Sequence, residues 1–496
     1  MNILSLQCWI IIALVGIVYY KIKHNKQWII LLIASTIIYL LLSGFTSLLY
    51  FAWIILVTWG GTYAYEYCND ENVSNRNRVS NYIIYAVVLI IIVSLGAVGA
   101  TKYIANKTIF YPLGISYVSL QAIGYVLDVY WGNIEAERNI FKVALFLLFF
   151  PQVIQGPITN WKQLSTQFYI PHKFDLEMVE RGVILVMWGY MKKVAIADRV
   201  GVVVEEVFSS PGSYYGATIG IALLLYSAQL YSDFSGGIDI VTGIAMMFDI
   251  NLMENFRRPY FSKSLSDFWR RWHISLGKWM KDYVYFPLGT SKLLSKIGGK
   301  IKRKCGVSYS RAFTIFVCNC VIFCLVGIWH GFELHYIIWG LYNGIIISIS
   351  NIYFRKYENK LMSWGVKTKS KAYLTMRVII TFLIVNFGWI MDRSVNVYNM
   401  SEMMKNLFYL NKSISIYELF AQTGFISPYD WMIVLVAIAA IFIVSLLMET
   451  SKMKFWDIVY NKNIVVRWFV LYVLIFFIAA SSVGMNGTGG FMYAQF

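Results

Sequence analysis

The chain has 496 residues, of which 58% are hydrophobic, 17% aromatic and only 14% charged, with a mean hydropathy of +0.59. Soluble globular domains carry about a quarter charged residues, so these proportions exclude a soluble enzyme and predict a polytopic integral membrane protein embedded in lipid. The net charge of +17 sits in short loops and not in a basic tail, which fits cytoplasmic anchoring by the positive-inside rule and argues against a nucleic-acid partner.

A bilayer needs about 20 apolar residues per helix. Runs of that kind predict spans near 3–20, 27–43, 45–65, 81–101, 140–158, 181–200, 215–233, 236–250, 312–332, 334–354, 374–391, 430–448 and 465–484, with no long hydrophilic block between them. One membrane domain over 1–496 is expected. The first run lacks a basic flank and a small-residue cleavage site, so it reads as a retained helix and not a signal peptide. Lys21, Lys23 and Lys26 follow it and belong on the cytoplasmic side, which puts the N-terminus outside.

From Phe110 to Gly132 the apolar pattern is interrupted by Gly114, Ser116, Tyr117, Gln121, Gly124, Asp128 and Tyr130, the mark of a helix packed on protein and not on lipid. Phe149 to Ile158 contains Pro151, Gln152, Gly156 and Pro157, and predicts a broken or re-entrant backbone, tolerated at depth only when buried or lining a cavity. Tyr231 to Asp239 places Asp233 and Asp239 in an apolar region, either as a polar hinge between two helices or as functional carboxylates.

The most charged stretch runs from Ser266 to Gly289. At about 100° per residue, Asp267, Arg270, Arg271, Lys278, Lys281 and Asp282 share one face, while Phe268, Trp269, Trp272, Leu276, Trp279 and Tyr283 share the other. A continuous amphipathic helix is predicted, with His273 on the flank between the faces. It must lie at the interface or line a wet cavity, because each mid-bilayer Arg or Lys costs about 2.5–3.5 kcal/mol. It leads into a basic loop, Lys292–Arg311, that belongs to the cytoplasm.

His330 ends an apolar run, with Gly327 and Gly331 beside it and Trp339, Gly340 and Gly344 forming a second small-residue face. Alone it reads either as a helix–helix hydrogen-bond partner or as a functional imidazole. His335 is expected at the interface, and His24 and His172 in solvated loops. Residues 393–429 read as an external or interfacial loop. The six cysteines suggest no disulfide framework, and Cys318, Cys320 and Cys324, in one apolar helix, no metal site.

Several segments together resemble the membrane-bound O-acyltransferase (MBOAT) family, and more narrowly its branch of alginate O-acetyltransferase membrane subunits. They are Asp267–Ser275 (DFWRRWHIS), Asp282–Gly289 (DYVYFPLG) and Gly327–Gly331 (GIWHG), supported by Phe150–Gln152, Gly156–Ile158, Asp233–Gly236, Asn255–Tyr260 and Trp339–Tyr342. The resemblance implies an all-α helical bundle of about 11–13 spanning helices plus re-entrant or interfacial amphipathic helices around a central tunnel, with a motif-bearing core at about 110–350. It makes His330 the catalytic histidine and His273 the second functional histidine. A histidine suits acyl transfer from a thioester, because a base titrating near neutrality can activate a hydroxyl. His273 would orient the acceptor or polarise the thioester carbonyl. Arg270, Arg271 and Lys278 would steer the phosphates of an acetyl-CoA donor, the alternative being interfacial anchoring. Asp267, Trp269, Trp272, Trp329, Gln152 and Asp233 would shape the tunnel.

Residues 486–496 resemble the aromatic C-terminal motif of that branch, with Ala494 at an aromatic position. Tyr493 there is either an acyl relay, since a phenol is a good leaving group, or an aromatic anchor at the membrane surface. The function implied is transfer of an acetyl group from cytoplasmic acetyl-CoA, across a bacterial cytoplasmic membrane, for O-acetylation of an exported polysaccharide or cell-wall glycan. An extracellular SGNH-hydrolase-like acetyltransferase partner would complete it. D-alanyl transfer to teichoic acid from a carrier protein, and a transporter or flippase, are the alternatives.

Overall fold

A computed structural model describes residues 5–69, 76–104, 112–410, 418–419 and 428–482. Among them the regular structure is helical throughout, with no strand. The first four helices are α1 (Leu6–Lys21), α2 (Gln27–Ser43), α3 (Phe45–Asn69) and α4 (Arg76–Ile104). Next come α5 (Ile115–Tyr130), α6 (Ile140–Leu148), α7 (Phe150–Gln155), α8 (Trp161–Phe168), α9 (Leu176–Lys192), α10 (Asp198–Ser209) and α11 (Ala217–Met246). Short pieces α12 (Leu265–Trp269), α13 (Ile274–Met280) and α14 (Phe286–Gly289) precede the basic helix α15 (Lys292–Cys305). The chain continues through α16 (Val307–His330), α17 (Leu334–Ser363), α18 (Lys371–Arg393), α19 (Val397–Asn406), α20 (Pro428–Ser451), α21 (Phe455–Tyr460) and α22 (Ile464–Ser482).

Seven helices among the described residues are long and apolar enough to cross a membrane, and α1 and the Ser80–Gly96 part of α4 are shorter apolar helices. Among the described residues the chain is all-α, with the helices of a multi-pass membrane protein. The departures from the predicted spans have local causes. The run at 140–158 is split at Phe149, just before Pro151, into α6 and α7. The run at 181–200 continues from α9 through a single wide π turn at Lys193–Ala197 into α10. The polar hinge expected at 231–239 does not exist, because both predicted spans there belong to the single helix α11.

The carboxylates of α11 stay inside it because α9 and its π turn supply cations. Lys193 Nζ lies 2.6 Å from Asp233 and 2.7 Å from Asp198, all three side chains being buried, and Lys192 pairs with Asp239 and donates to Ser235 Oγ at 2.9 Å. Buried charges persist only when paired, since an isolated one would cost several kcal/mol. Close backbone approach brings the two helices near enough: a Cβ on Gly189 would stand 2.5 Å from the carbonyl oxygen of Gly236, and one on Gly182 2.6 Å from that of Gly243. Within the stretch expected to be a loop, Val397–Asn406 forms α19, which buries Met400 and Met403.

Candidate functional site

The segment expected to be one amphipathic helix is broken at His273, and the reason lies 18 residues upstream. Ser264 caps α12, its Oγ accepting from the Asp267 N–H at 3.1 Å. The helix then stops, because the segment 255–257 takes over its backbone partners. Arg257 N–H donates to the Arg271 carbonyl at 2.8 Å and Ile274 N–H to the Asn255 carbonyl at 3.0 Å. His273 itself adopts a left-handed backbone, φ +46°, before α13 begins. That conformation costs a non-glycine residue about 1–2 kcal/mol, and it drives the imidazole inward, to 4% exposure.

The hydrogen bonds of His273 settle its tautomer. Asn255 Oδ1 accepts from the backbone N–H of Ser275 at 3.0 Å and from Ser275 Oγ at 2.9 Å, which identifies that atom as oxygen. His273 Nδ1 lies 3.2 Å from the same oxygen and must therefore carry the proton. Nε2 is left as a bare acceptor, buried and without a partner among the described residues. Burial, and then the nearness of His330, push this imidazole down to about 3, so it is neutral near pH 7.

Three rings adjoin the His273 imidazole, and Phe234 of α11 is the nearest of them at 4.8 Å between centroids. Tyr117 of α5 lies 6.2 Å from His273 centroid to centroid, Trp329 of α16 lies 6.0 Å from it, and Tyr117 and Trp329 are 5.7 Å apart. His330 continues the cluster, 5.1 Å from Trp329 and 5.2 Å from Trp339. The small-residue faces read from the sequence bring α16 and α17 together here: a side chain on Gly327 would collide with the Tyr336 carbonyl. Trp269 Nε1 donates to Asn343 Oδ1 of α17 at 3.0 Å, and Trp272 is buried among Phe256, Phe268, Tyr260 and Trp389.

A narrow recess of about 20 Å³, room for one water molecule, is lined by Gln121, Thr159, Asn160, Gln163, Ser275 and Lys278 among others. Of the three cations expected to meet a donor, Lys278 lines this recess. Arg271 is held by Asp267 at 3.2 Å and Glu449 at 3.5 Å, and Arg270 is 73% exposed with Asp267 3.8 Å away. Gln152 does not reach the rings; its amide closes the α7 break by donating to the Pro157 carbonyl at 2.7 Å and to Thr159. Asp233 belongs to the buried ion pairs of α11.

Two histidines are not where the sequence suggested. His172 is 1% exposed, bonded to Asp249 at 3.0 Å and the Gln167 carbonyl at 2.7 Å, and His335 is 2% exposed with Nδ1 on the Met391 carbonyl at 2.8 Å. Both are paired to distant segments, which local polarity does not reveal. Tyr493 lies outside the described residues. Sequence reasoning missed Asn255 and Tyr117 as site residues. Their only signals were polar atoms interrupting apolar or aromatic runs.

The family profile described as MBOAT, membrane-bound O-acyltransferase family, matches residues 136–299, a stretch that includes His273 and ends before His330. The chain is 34% identical over 315 residues to a probable alginate O-acetylase of Pseudomonas syringae pv. tomato, covering 64% of this chain and 55% of that protein. It is 30% identical to a peptidoglycan O-acetyltransferase of Helicobacter pylori over 60% of this chain and 57% of that one. It is 28% identical to a teichoic acid D-alanyltransferase of Bacillus subtilis over 56% of this chain and 67% of the other. The matched stretch thus spans little more than half the length of the acetylases. Residues 136–299 match the membrane-bound O-acyltransferase family model, inside a chain whose described helices include seven long and apolar enough to cross a membrane.

Proposed function

We propose that this protein is an O-acyltransferase that moves an acetyl group from cytoplasmic acetyl-CoA towards an extracellular acceptor, for O-acetylation of an exported polysaccharide or cell-wall glycan. The observation that carries the reading is a neutral imidazole locked with a bare Nε2 acceptor, one aromatic ring away from a second imidazole, inside a tightly packed aromatic cluster. Two proton-handling groups shielded from bulk water suit transfer of an acyl group and guard a thioester against hydrolysis.

His330 is the base: it takes the proton from the attacking hydroxyl, the oxygen bonds to the thioester carbon, the C–S bond breaks, and the proton passes to the departing thiolate. His273 orients a reactant. Its Nδ1–H is spent on Asn255, so the neutral ring accepts an N–H or O–H and does not donate to a carbonyl oxygen. Lys278, which lines the recess beside Ser275, attracts the donor phosphates. The first acceptor is the phenol of Tyr493, and a separate extracellular SGNH-hydrolase-like enzyme carries the acetyl group on to the glycan. The bacterial cytoplasmic membrane is the setting.

Transfer of radiolabelled acetyl from acetyl-CoA to the purified protein in liposomes tests this, with His330→Ala and Tyr493→Phe alongside. Label on the intact chain and none on either variant is expected. Label retained in His330→Ala moves the base elsewhere, and undiminished label in Tyr493→Phe removes the relay. The likeness to D-alanyltransferases supports a second donor. Label from a D-alanyl carrier-protein thioester and none from acetyl-CoA would replace acetyl-CoA, and label from neither would favour a transporter.

A further inference from the structure

A neutral His273 that can only accept leaves the acyl carbonyl without a donor, and acyl transfer needs one. When a hydroxyl oxygen attacks the thioester carbon, the carbonyl π pair moves onto oxygen, and that charge is stabilised by hydrogen-bond donors already in place. Two aromatic rings of the cluster carry such donors. Tyr117 is 2% exposed, and its hydroxyl is buried with no partner among the described residues; the indole Nε1 of Trp329 is buried in the same condition. Their rings are 5.7 Å apart in an edge-to-face arrangement, and both adjoin His273.

Leaving a buried donor unsatisfied costs about 1–3 kcal/mol, so native structures rarely keep even one without use. Here a phenol, an indole, the His273 Nε2 and the Asn255 Nδ2 stand unpaired in one cluster among the described residues, while Tyr125 on the helix of Tyr117, and Trp279 and Tyr342 on neighbouring helices, are satisfied. Tyr125 accepts from the Glu137 N–H at 2.8 Å, Trp279 donates to the Leu120 carbonyl at 2.8 Å and Tyr342 to the Ile384 carbonyl at 2.8 Å. The phenol stays protonated at neutral pH, since its ordinary value is about 10, and an indole N–H is a donor only.

We infer that the Tyr117 hydroxyl and the Trp329 indole N–H form the oxyanion site of this protein, taking the carbonyl oxygen of the acyl group as their ligand. Acceptors and donors are thereby divided among the side chains of one cluster. His330 removes the hydroxyl proton, His273 accepts a hydrogen bond from a reactant, and Tyr117 and Trp329 donate to the developing alkoxide, which collapses to expel the thiolate. The inference rests on the acyl-transfer reading of the same centre.

The test compares Tyr117→Phe and Trp329→Phe with the intact protein in single-turnover acyl transfer from acetyl-CoA and from a carrier-protein thioester. Tyr39→Phe serves as a control for loss of a buried hydroxyl remote from the rings, one that donates to the Leu113 carbonyl at 3.0 Å. Each ring variant should lose about 10²–10³ in kcat, the range for one oxyanion donor, with KM for the thioester within about threefold, while Tyr39→Phe keeps its rate. In His330→Ala loaded with ¹³C-acetyl donor, the carbonyl infrared band should lie below that of the free thioester and return towards it when Tyr117→Phe is added. A folded Tyr117→Phe with undiminished kcat and an unmoved band would overturn the oxyanion site alone. No transfer from either donor by the intact protein would overturn the acyl-transfer reading and this inference with it.

Discussion

Asn255 Oδ1 is shared by three donors of one segment: the Ser275 N–H at 3.0 Å, Ser275 Oγ at 2.9 Å and His273 Nδ1 at 3.2 Å. One amide oxygen thus ends a helix, holds a strained backbone and selects a tautomer.

Replacing Asn255 with Ala removes that acceptor and leaves buried donors unpaired, at a cost of about 1–3 kcal/mol. It also frees His273 to carry its proton on Nε2. The melting temperature in detergent should fall, and acyl transfer should drop about tenfold or more beyond any loss of folded protein. Asn255→Asp, which still accepts from Nδ1–H, should keep more activity than Asn255→Ala. Equal rates in the two would dissociate the tautomer from function.

Acid should destabilise the fold through His273. Its folded value is depressed to about 3 by burial first and His330 second, against about 6.5 in the unfolded chain. Between these values the unfolded state binds the proton and the folded state does not, so stability falls as pH drops below about 6.5, by at most about 1.4 kcal/mol per unit for one such group. Thermal unfolding between pH 7 and 5 should show this slope. His273→Asn, whose side chain tolerates the left-handed backbone, should flatten it. Parallel slopes would assign the acid sensitivity to other groups.

Lys278 and Arg271 should separate by phenotype. Arg271 bridges Asp267 and Glu449, so Arg271→Ala should lower stability by about 1–3 kcal/mol and leave KM for acetyl-CoA nearly unchanged. Lys278→Ala should raise that KM about three- to tenfold at constant kcat, an effect that shrinks at high salt. Initial-rate kinetics at two ionic strengths check it, and a KM raised only by Arg271→Ala would reverse the assignment.

The apolar runs read directly as helices because about 20 apolar residues have few other stable places to go. α2 and α17 begin where the sequence placed them, and the glycines beside His330 do pack α16 on α17. The family motifs were legible for the same reason, as unbroken local strings. What could not be read was every feature whose cause is distant in sequence. The periodicity of 266–289 is that of one helix, but Asn255 and Arg257 outcompete its backbone bonds at His273. Asp233 looked like a hinge until Lys193 neutralised it inside α11, and His172 looked solvated until Asp249 and Gln167 enclosed it.

Composition and periodicity by themselves determined that the chain is built of membrane helices, and the short strings around its histidines carried the resemblance to an acyltransferase family. Only the tertiary structure decided which polar atoms are paired and which are not. Burial makes each unpaired group costly, and whether a partner arrives depends on segments that meet only after folding. Among the described residues, His273 Nε2, the Tyr117 hydroxyl, the Trp329 indole and the Asn255 Nδ2 are left unpaired at the centre.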